Sequence, residues 1–207
     1  MQYYIFVENS QLNGAGQCRQ LTKGVINYEV NKELYDDFII SPTKYKWNGK
    51  EIILNENYDN EQAELKRQYL KEEVNYTLKA EYAYEGVRFT NNTKTLVFET
   101  NKESVSLITM TLVAIQSGLQ TNVESWKCRE LEEPHSPISV DFTSAQFLKL
   151  VTFARNMVQQ SFNVEKELNE EIDKITVEDL LDKDYMKTFE EHMKTTYEEK
   201  VTRTIEV

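Results

Sequence analysis

The amino-acid sequence predicts an α+β fold. A small N-terminal, hairpin-rich module leads into a long connector helix, two strand pairs packed with helices, and a helical C-terminus. Asn48-Gly49 separates two runs of alternating polarity within residues 44–58, which predicts a β-hairpin closed by a type I′ turn. Apolar side chains recur at helical spacing through residues 60–85. Signals for helix N-termini then follow two further strand-like runs, so strands and helices are expected to alternate irregularly.

Residues 1–59 are predicted to form the N-terminal module. Strands are expected at residues 2–7, 25–30, 43–47 and 51–55. Residues 8–24 are polar, and Asn13-Gly14 is expected to mark a turn within them. Asn31 can cap a short helix that follows the second strand. So small a module has little core of its own and needs a partner surface for stability.

The predicted connector helix at residues 60–85 has apolar side chains on two faces. Such a helix either packs across its own domain or lies in a bundle of several chains. Strict heptads are absent, which argues against a regular coiled coil. Six of its residues are candidate interaction residues: Leu65, Tyr69, Leu70, Val74, Tyr76 and Leu78.

Residues 86–175 are predicted to form an α+β domain, and residues 176–207 a helical extension. Strands are expected at residues 87–90, 95–99, 121–129 and 138–142. A turn at residues 91–93 joins the first pair. The extension is predicted to hold helices at 177–182 and 185–200 and a terminal strand within 201–207.

Two capping boxes are predicted to open the helices of this domain. Thr100 is followed by Glu103, and Thr143 by Gln146, at the spacing that lets each side chain satisfy the other's backbone N–H. The helices that follow are expected at residues 101–117 and 144–172.

The acidic composition argues against a nucleic-acid partner. The chain has 207 residues and a net charge of −11, whereas a nucleic-acid binder needs a basic surface to displace counterions.

The sequence MQYYIFVENS lacks the basic and apolar regions of a signal peptide. No apolar run approaches the ~20 residues of a membrane-spanning helix. We therefore expect no nucleic-acid partner, no membrane insertion and a reducing, cytosolic place of synthesis.

The sequence contains no catalytic, cofactor-binding or metal-binding motif, and we predict that the protein is not an enzyme. Cys18 and Cys128 cannot form a disulfide framework or a zinc site by themselves. A nucleophilic pair of Cys128 with His135 is conceivable, but nothing nearby in the sequence lowers the pKa of the thiol. Paired acids and two tryptophans leave a glycan hydrolase open as a remote alternative.

Two stretches resemble known phage proteins. NKELYDDFIISPTKYKWNGKEIILNENYDNE, at residues 31–61, resembles the N-terminal segments of phage and prophage tail-associated proteins. Residues 86–165 resemble the domain of unknown function 4376, which occurs near the C-termini of phage tail-fibre and related virion proteins. The run GVRFTNNTKTLVFETNKES, then Trp126, then ISVDFTSAQFLKLV carry this second resemblance.

The resemblance implies a non-enzymatic structural or adaptor component of a bacteriophage tail or tail fibre. Its implied partners are other tail proteins and copies of itself in a homo-oligomer, and the implied homo-oligomer is a trimer because fibre-type proteins are commonly trimeric. Its implied location is the virion tail, after synthesis in the host bacterial cytoplasm. A tail-fibre assembly chaperone that leaves the particle is the main alternative, and an envelope-glycan hydrolase is the remote one.

Overall fold

The computed structural model describes residues 1–91 and 94–207 and confirms the α+β class. The chain divides into two compact units, Met1–Glu64 (unit 1) and Leu65–Val207 (unit 2). The division falls inside the long helix that the sequence predicts at residues 60–85.

Unit 1 contains a three-stranded antiparallel sheet in the order β2-β1-β3, a helix and a separate hairpin. Its elements are β1 (Tyr3–Glu8), β2 (Gln11–Gly16), β3 (Ile26–Val30), α1 (Lys32–Ile40), β4 (Tyr45–Trp47) and β5 (Ile52–Leu54). The central strand β1 buries four consecutive side chains, Tyr4 to Val7. The side chain of Asn31 accepts a hydrogen bond from the N–H of Leu34 at 2.8 Å, so the predicted cap of α1 is confirmed.

The prediction of a turn at Asn13-Gly14 is wrong, because these residues lie inside β2. The chain turns at Asn9 and Ser10, which have φ angles of 51° and 65°. Gly14 pairs with Phe6, and Asn13 is the extra residue of a β-bulge at this point. The polar composition of residues 8–24 concealed the strand, since β2 is an edge strand in which every side chain is exposed or half-buried.

The predicted hairpin of residues 44–58 is confirmed, but its type I′ turn is wrong. Trp47 pairs with Ile52, so the loop holds four residues rather than two. Gly49 has a positive φ of 97°, whereas Asn48 does not adopt the left-handed conformation. The Asn48 side chain instead accepts hydrogen bonds from the N–H groups of Lys50 and Glu51, both at 2.9 Å. An asparagine side chain that closes the loop in this way replaces the tight turn.

Unit 2 is a five-stranded sheet covered by helices. Its elements are the C-terminal part of α2 (Tyr58–Glu72), a π-helical segment (Glu73–Leu78), α3 (Lys79–Tyr84), β6 (Val87–Asn91), β7 (Lys94–Phe98), α4 (Lys102–Gln116), β8 (Asn122–Glu130), β9 (Pro137–Thr143), α5 (Ser144–Ile172), α6 (Val177–Leu181), α7 (Lys183–Lys200) and β10 (Thr204–Ile205). The strand order is β10-β6-β7-β8-β9, and β10 runs parallel to β6. The predicted turn at residues 91–93 includes Asn92 and Thr93, which lie outside the described residues.

Helix α5 packs on the sheet through an aromatic cluster, which forms the core of unit 2. Phe147 is fully buried, and its ring centroid lies 4.9 Å from that of Trp126 and 5.6 Å from that of Phe98. Phe89 and Phe142 complete the cluster, with ring centroids 5.6 Å apart. Both the strands and the helix therefore contribute rings to one continuous core.

A β-bulge in β8 directs Trp126 into this cluster. Ser125 has a φ of 54°, and the register between β8 and β9 shifts by one residue between Val123 and Trp126. The N–H of Ser125 donates a hydrogen bond of 2.7 Å to a carboxylate oxygen of Asp141 on β9. Since side chains alternate along a strand, the extra residue lets Val123, Trp126 and Cys128 share one face.

One of the two predicted capping boxes is confirmed, and the other is wrong. At α5 the side chains of Thr143 and Gln146 satisfy each other's backbone as predicted. At α4 the cap is Asn101, whose side chain accepts from the N–H of Ser104 at 3.0 Å. Thr100 is buried and donates its hydroxyl to the carbonyl of Ala83 at 3.1 Å instead. The helix begins one residue later than the Thr-x-x-Glu spacing requires.

Replacing Asn101 by alanine should therefore reduce the free energy of unfolding by about 1 kcal/mol, because the first turn of α4 loses its acceptor. Glu103→Ala is the matched control and should change it by less than ~0.5 kcal/mol, since Glu103 is exposed and is not part of the cap. Urea denaturation of the three proteins measures the difference. A larger loss for Glu103→Ala than for Asn101→Ala would indicate that Thr100 and Glu103 form the capping box after all.

Candidate interaction surfaces

The six candidate interaction residues of the long helix divide into a buried and an exposed set. Leu70, Val74 and Leu78 are buried within unit 2. The π-helical segment that carries Val74 and Leu78 packs against α5 and α7 of the same chain. These three side chains belong to the core of unit 2, as expected for a helix that packs across its own domain.

Leu65, Tyr69 and Tyr76 are exposed, and of the six predicted residues they are the ones that another chain can reach. Tyr76 is 76% exposed. The hydroxyl of Tyr69 already interacts with Glu190 of the same chain. The charge of Glu190 raises the pKa of Tyr69, and burial and a hydrogen bond to the same carboxylate raise it further. Tyr76 and Tyr84 line a shallow, open groove with Glu81. An interaction through this face stays a prediction for the three exposed residues.

A second exposed apolar surface, which the sequence did not indicate as an interaction site, lies on α4. Of the residues of this helix, Ile108 is the one that is buried. We define the α4 surface by four exposed apolar side chains: Val105 (49% exposed), Leu107 (57%), Met110 (70%) and Val113 (60%). Leu107, Met110 and Val113 follow one another at three-residue spacing, so their side chains are neighbours on the helix. Contiguous exposed apolar side chains mark interaction sites more often than scattered ones do.

The α4 surface also lacks charge. Residues 104–123 contain no Asp, Glu, Lys, Arg or His and form the longest charge-free stretch of the chain. By contrast, 29% of all residues are charged. The signal was present in the sequence, but apolar residues at helical spacing in a charge-poor segment are equally typical of a core helix. Only the burial of each residue distinguishes a core helix from an uncovered one.

The residues that could have formed a nucleophilic site do not support one. Burial raises the pKa of the Cys128 thiol to about 12, the opposite of the activation that a nucleophile requires. His135 contacts the carbonyl of Glu130 at 3.3 Å through Nδ1 and the carboxylate of Glu133 at 3.2 Å through Nε2. Cys128 is therefore a core side chain, and the contacts of His135 are with its own loop.

The two thiols should differ sharply in reactivity, because Cys18 is exposed and Cys128 is 3% exposed. With a chromogenic disulfide reagent at pH 8, we expect one thiol per native chain to react rapidly and the second only after denaturation. Cys18→Ser should abolish the rapid phase. Two rapid thiols in the native protein would show that the core around Cys128 opens readily.

Two of the acidic residues in adjacent or near-adjacent pairs, Glu171 and Asp182, have structural partners. Glu171 lies 2.9 Å from Nε2 of His192, and Asp182 caps α7 through the N–H groups of Asp184 and Tyr185. Within residues 1–91 and 94–207, no group of three or more His, Cys, Asp or Glu side chains is placed to hold a metal ion.

Two further groups of charged residues join elements of unit 2. Lys79 pairs with Glu165 of α5 at 2.7 Å, and both side chains are mostly buried. Arg203, next to β10, pairs with Glu81 in α3 and with Glu85, the residue that follows α3. The guanidinium of Arg203 also lies over the ring of Tyr82. These pairs hold α5 and the segment before β10 against α3, and none of them involves a residue of α4.

Each helix in the described part of the chain is too short or too polar to span a bilayer. Comparison with known proteins gives no match, whether to protein-family models, to curated proteins or to solved structures.

Proposed function

We propose that this protein is a non-enzymatic structural or adaptor component of a bacteriophage tail or tail fibre, which works by docking other protein chains. The observation that carries the proposal is the α4 surface, where four apolar side chains are exposed on a helix that has no charged residue from Ser104 to its end. An exposed surface of this kind favours binding to another apolar surface.

The assignment to a phage tail is supported by the sequence resemblance at residues 31–61 and 86–165. A docking role is consistent with both parts of that resemblance. The exposed members of the long helix, Leu65, Tyr69 and Tyr76, provide a second surface for a partner. Aromatic side chains are enriched among the residues that contribute most to protein–protein binding.

Quantitative mass spectrometry of virions purified from a culture that produces this protein tests the proposal. We expect the chain in the particles at a fixed ratio to the other tail proteins. A chain that is absent from particles but required for fibre assembly would identify the assembly chaperone instead. Turnover of an envelope glycan that a single Asp or Glu substitution abolishes would contradict a non-enzymatic role.

A further inference from the structure

We propose that the α4 surface is a self-association interface, in which α4 packs against α4 of a second copy of this chain. This inference rests on the proposed docking function and names one partner for it. Charge is the first argument. Each chain carries a net charge of −11, so two copies repel each other over most of their surface. The charge-free segment 104–123 is where two copies approach at the lowest electrostatic cost.

The chemistry of the α4 surface selects its partner. Val105, Leu107, Met110 and Val113 offer no ion pair to a basic or an acidic surface, so a charged partner would lose hydration there without compensation. A second apolar, uncharged helix is the complement. In unit 1 the exposed side chains of Ile39 and Ile40 end α1, which also carries Asp36 and Asp37. Among the described elements, α4 itself is the exposed helix that meets both conditions.

The sequence of α4 is suited to pairing about a two-fold axis. Met110 lies near the middle of the helix, so an antiparallel pair centred there places Met110 against Met110 of the second copy. The same pairing brings Leu107 of each copy towards Val113 of the other, because both lie three residues from Met110. Ser106 and Thr109 are small, exposed and uncharged, and small side chains let two helices approach closely. In a two-fold interface every contact occurs twice, so a modest surface contributes double.

Sedimentation equilibrium of the full chain tests the proposal, with one charge-inserting variant and one matched control. The wild-type protein should pass from 24.4 kDa to twice that mass as its concentration rises. Met110→Glu places two like charges face to face in the apolar contact and should raise the dissociation constant by at least about tenfold. Ile40→Glu adds the same charge at a residue that is 80% exposed, against 70% for Met110, and lies outside the α4 surface and the long helix, so it should leave the constant unchanged within about twofold.

A cross-linking experiment locates the contact independently. In a Cys18→Ser background, Met110→Cys should be joined to a second chain by a short bismaleimide. Ile40→Cys in the same background should not be joined to a second chain. Cys128 is buried and does not interfere with the native protein.

Each contrary outcome overturns the pairing. A wild-type chain that stays monomeric at high concentration would mean that no second copy covers α4. Loss of association in Ile40→Glu but not in Met110→Glu would move the interface to unit 1, and a trimeric mass would rule out the two-fold pair. None of these results changes whether the chain is found in virions, so failure here and failure of the proposed function are distinguishable.

Discussion

Gly86→Ala is expected to lower the free energy of unfolding by about 4 kcal/mol, from backbone strain and steric overlap together. Gly86 has a φ of 113°, a conformation that side chains other than glycine rarely adopt. A Cβ atom at this residue would lie 2.4 Å from the carbonyl oxygen of Phe98 and 2.8 Å from Cγ1 of Val97. Both neighbours belong to the central strand β7, so neither can move without disturbing the sheet.

Gly118→Ala is the matched control for this prediction. Gly118 also has a positive φ, of 72°, but nothing lies within 4 Å of the added Cβ. Its cost should be limited to the backbone contribution of about 1 kcal/mol. Urea denaturation of both variants measures the two costs. Equal losses would show that steric overlap with β7 contributes nothing and that strain alone determines the effect at Gly86.

Phe147→Ala is expected to cost about 3–5 kcal/mol, because it removes the ring at the centre of the aromatic cluster and leaves a cavity. Phe147 is fully buried and contacts Trp126, Phe98 and Phe142. Loss of this ring also removes a link between α5 and the sheet. We therefore expect a lower unfolding midpoint, together with altered emission from Trp126 in the folded state.

The fluorescence of the two tryptophans makes this measurement specific. Trp47 lies in unit 1 and Trp126 in unit 2, so a Trp47→Phe background reports on unit 2 alone. Phe162→Ala is the control on the same helix. Phe162 is 40% exposed and lies 5.4 Å from Nζ of Lys79, so its loss should cost about 1 kcal/mol or less. Similar losses for the two phenylalanines would place the core of unit 2 elsewhere.

The sequence predicted which apolar side chains are exposed only in part, for a reason that the long helix illustrates. Helical spacing correctly indicated two apolar faces, but it assigned no burial to either. Leu70 and Val74 proved to be core residues, whereas Tyr76 is exposed. The same limitation applied to α4, where Met110 is as apolar as any core residue and yet lies on the surface. Which face of a helix meets a neighbour depends on the position of the other elements.

By itself, the sequence determined the α+β class, most helices and strands, the Thr143 capping box and the hairpin around Gly49, because each depends on residues close together along the chain. The tertiary structure alone decided features that join distant segments. The N–H of Ser125 in the bulge bonds to Asp141 on the next strand. Thr100 does not cap α4, because its hydroxyl donates a hydrogen bond to the carbonyl of Ala83 in α3. The exposure of α4 likewise follows from where α5 and the sheet lie, which no local pattern of residues specifies.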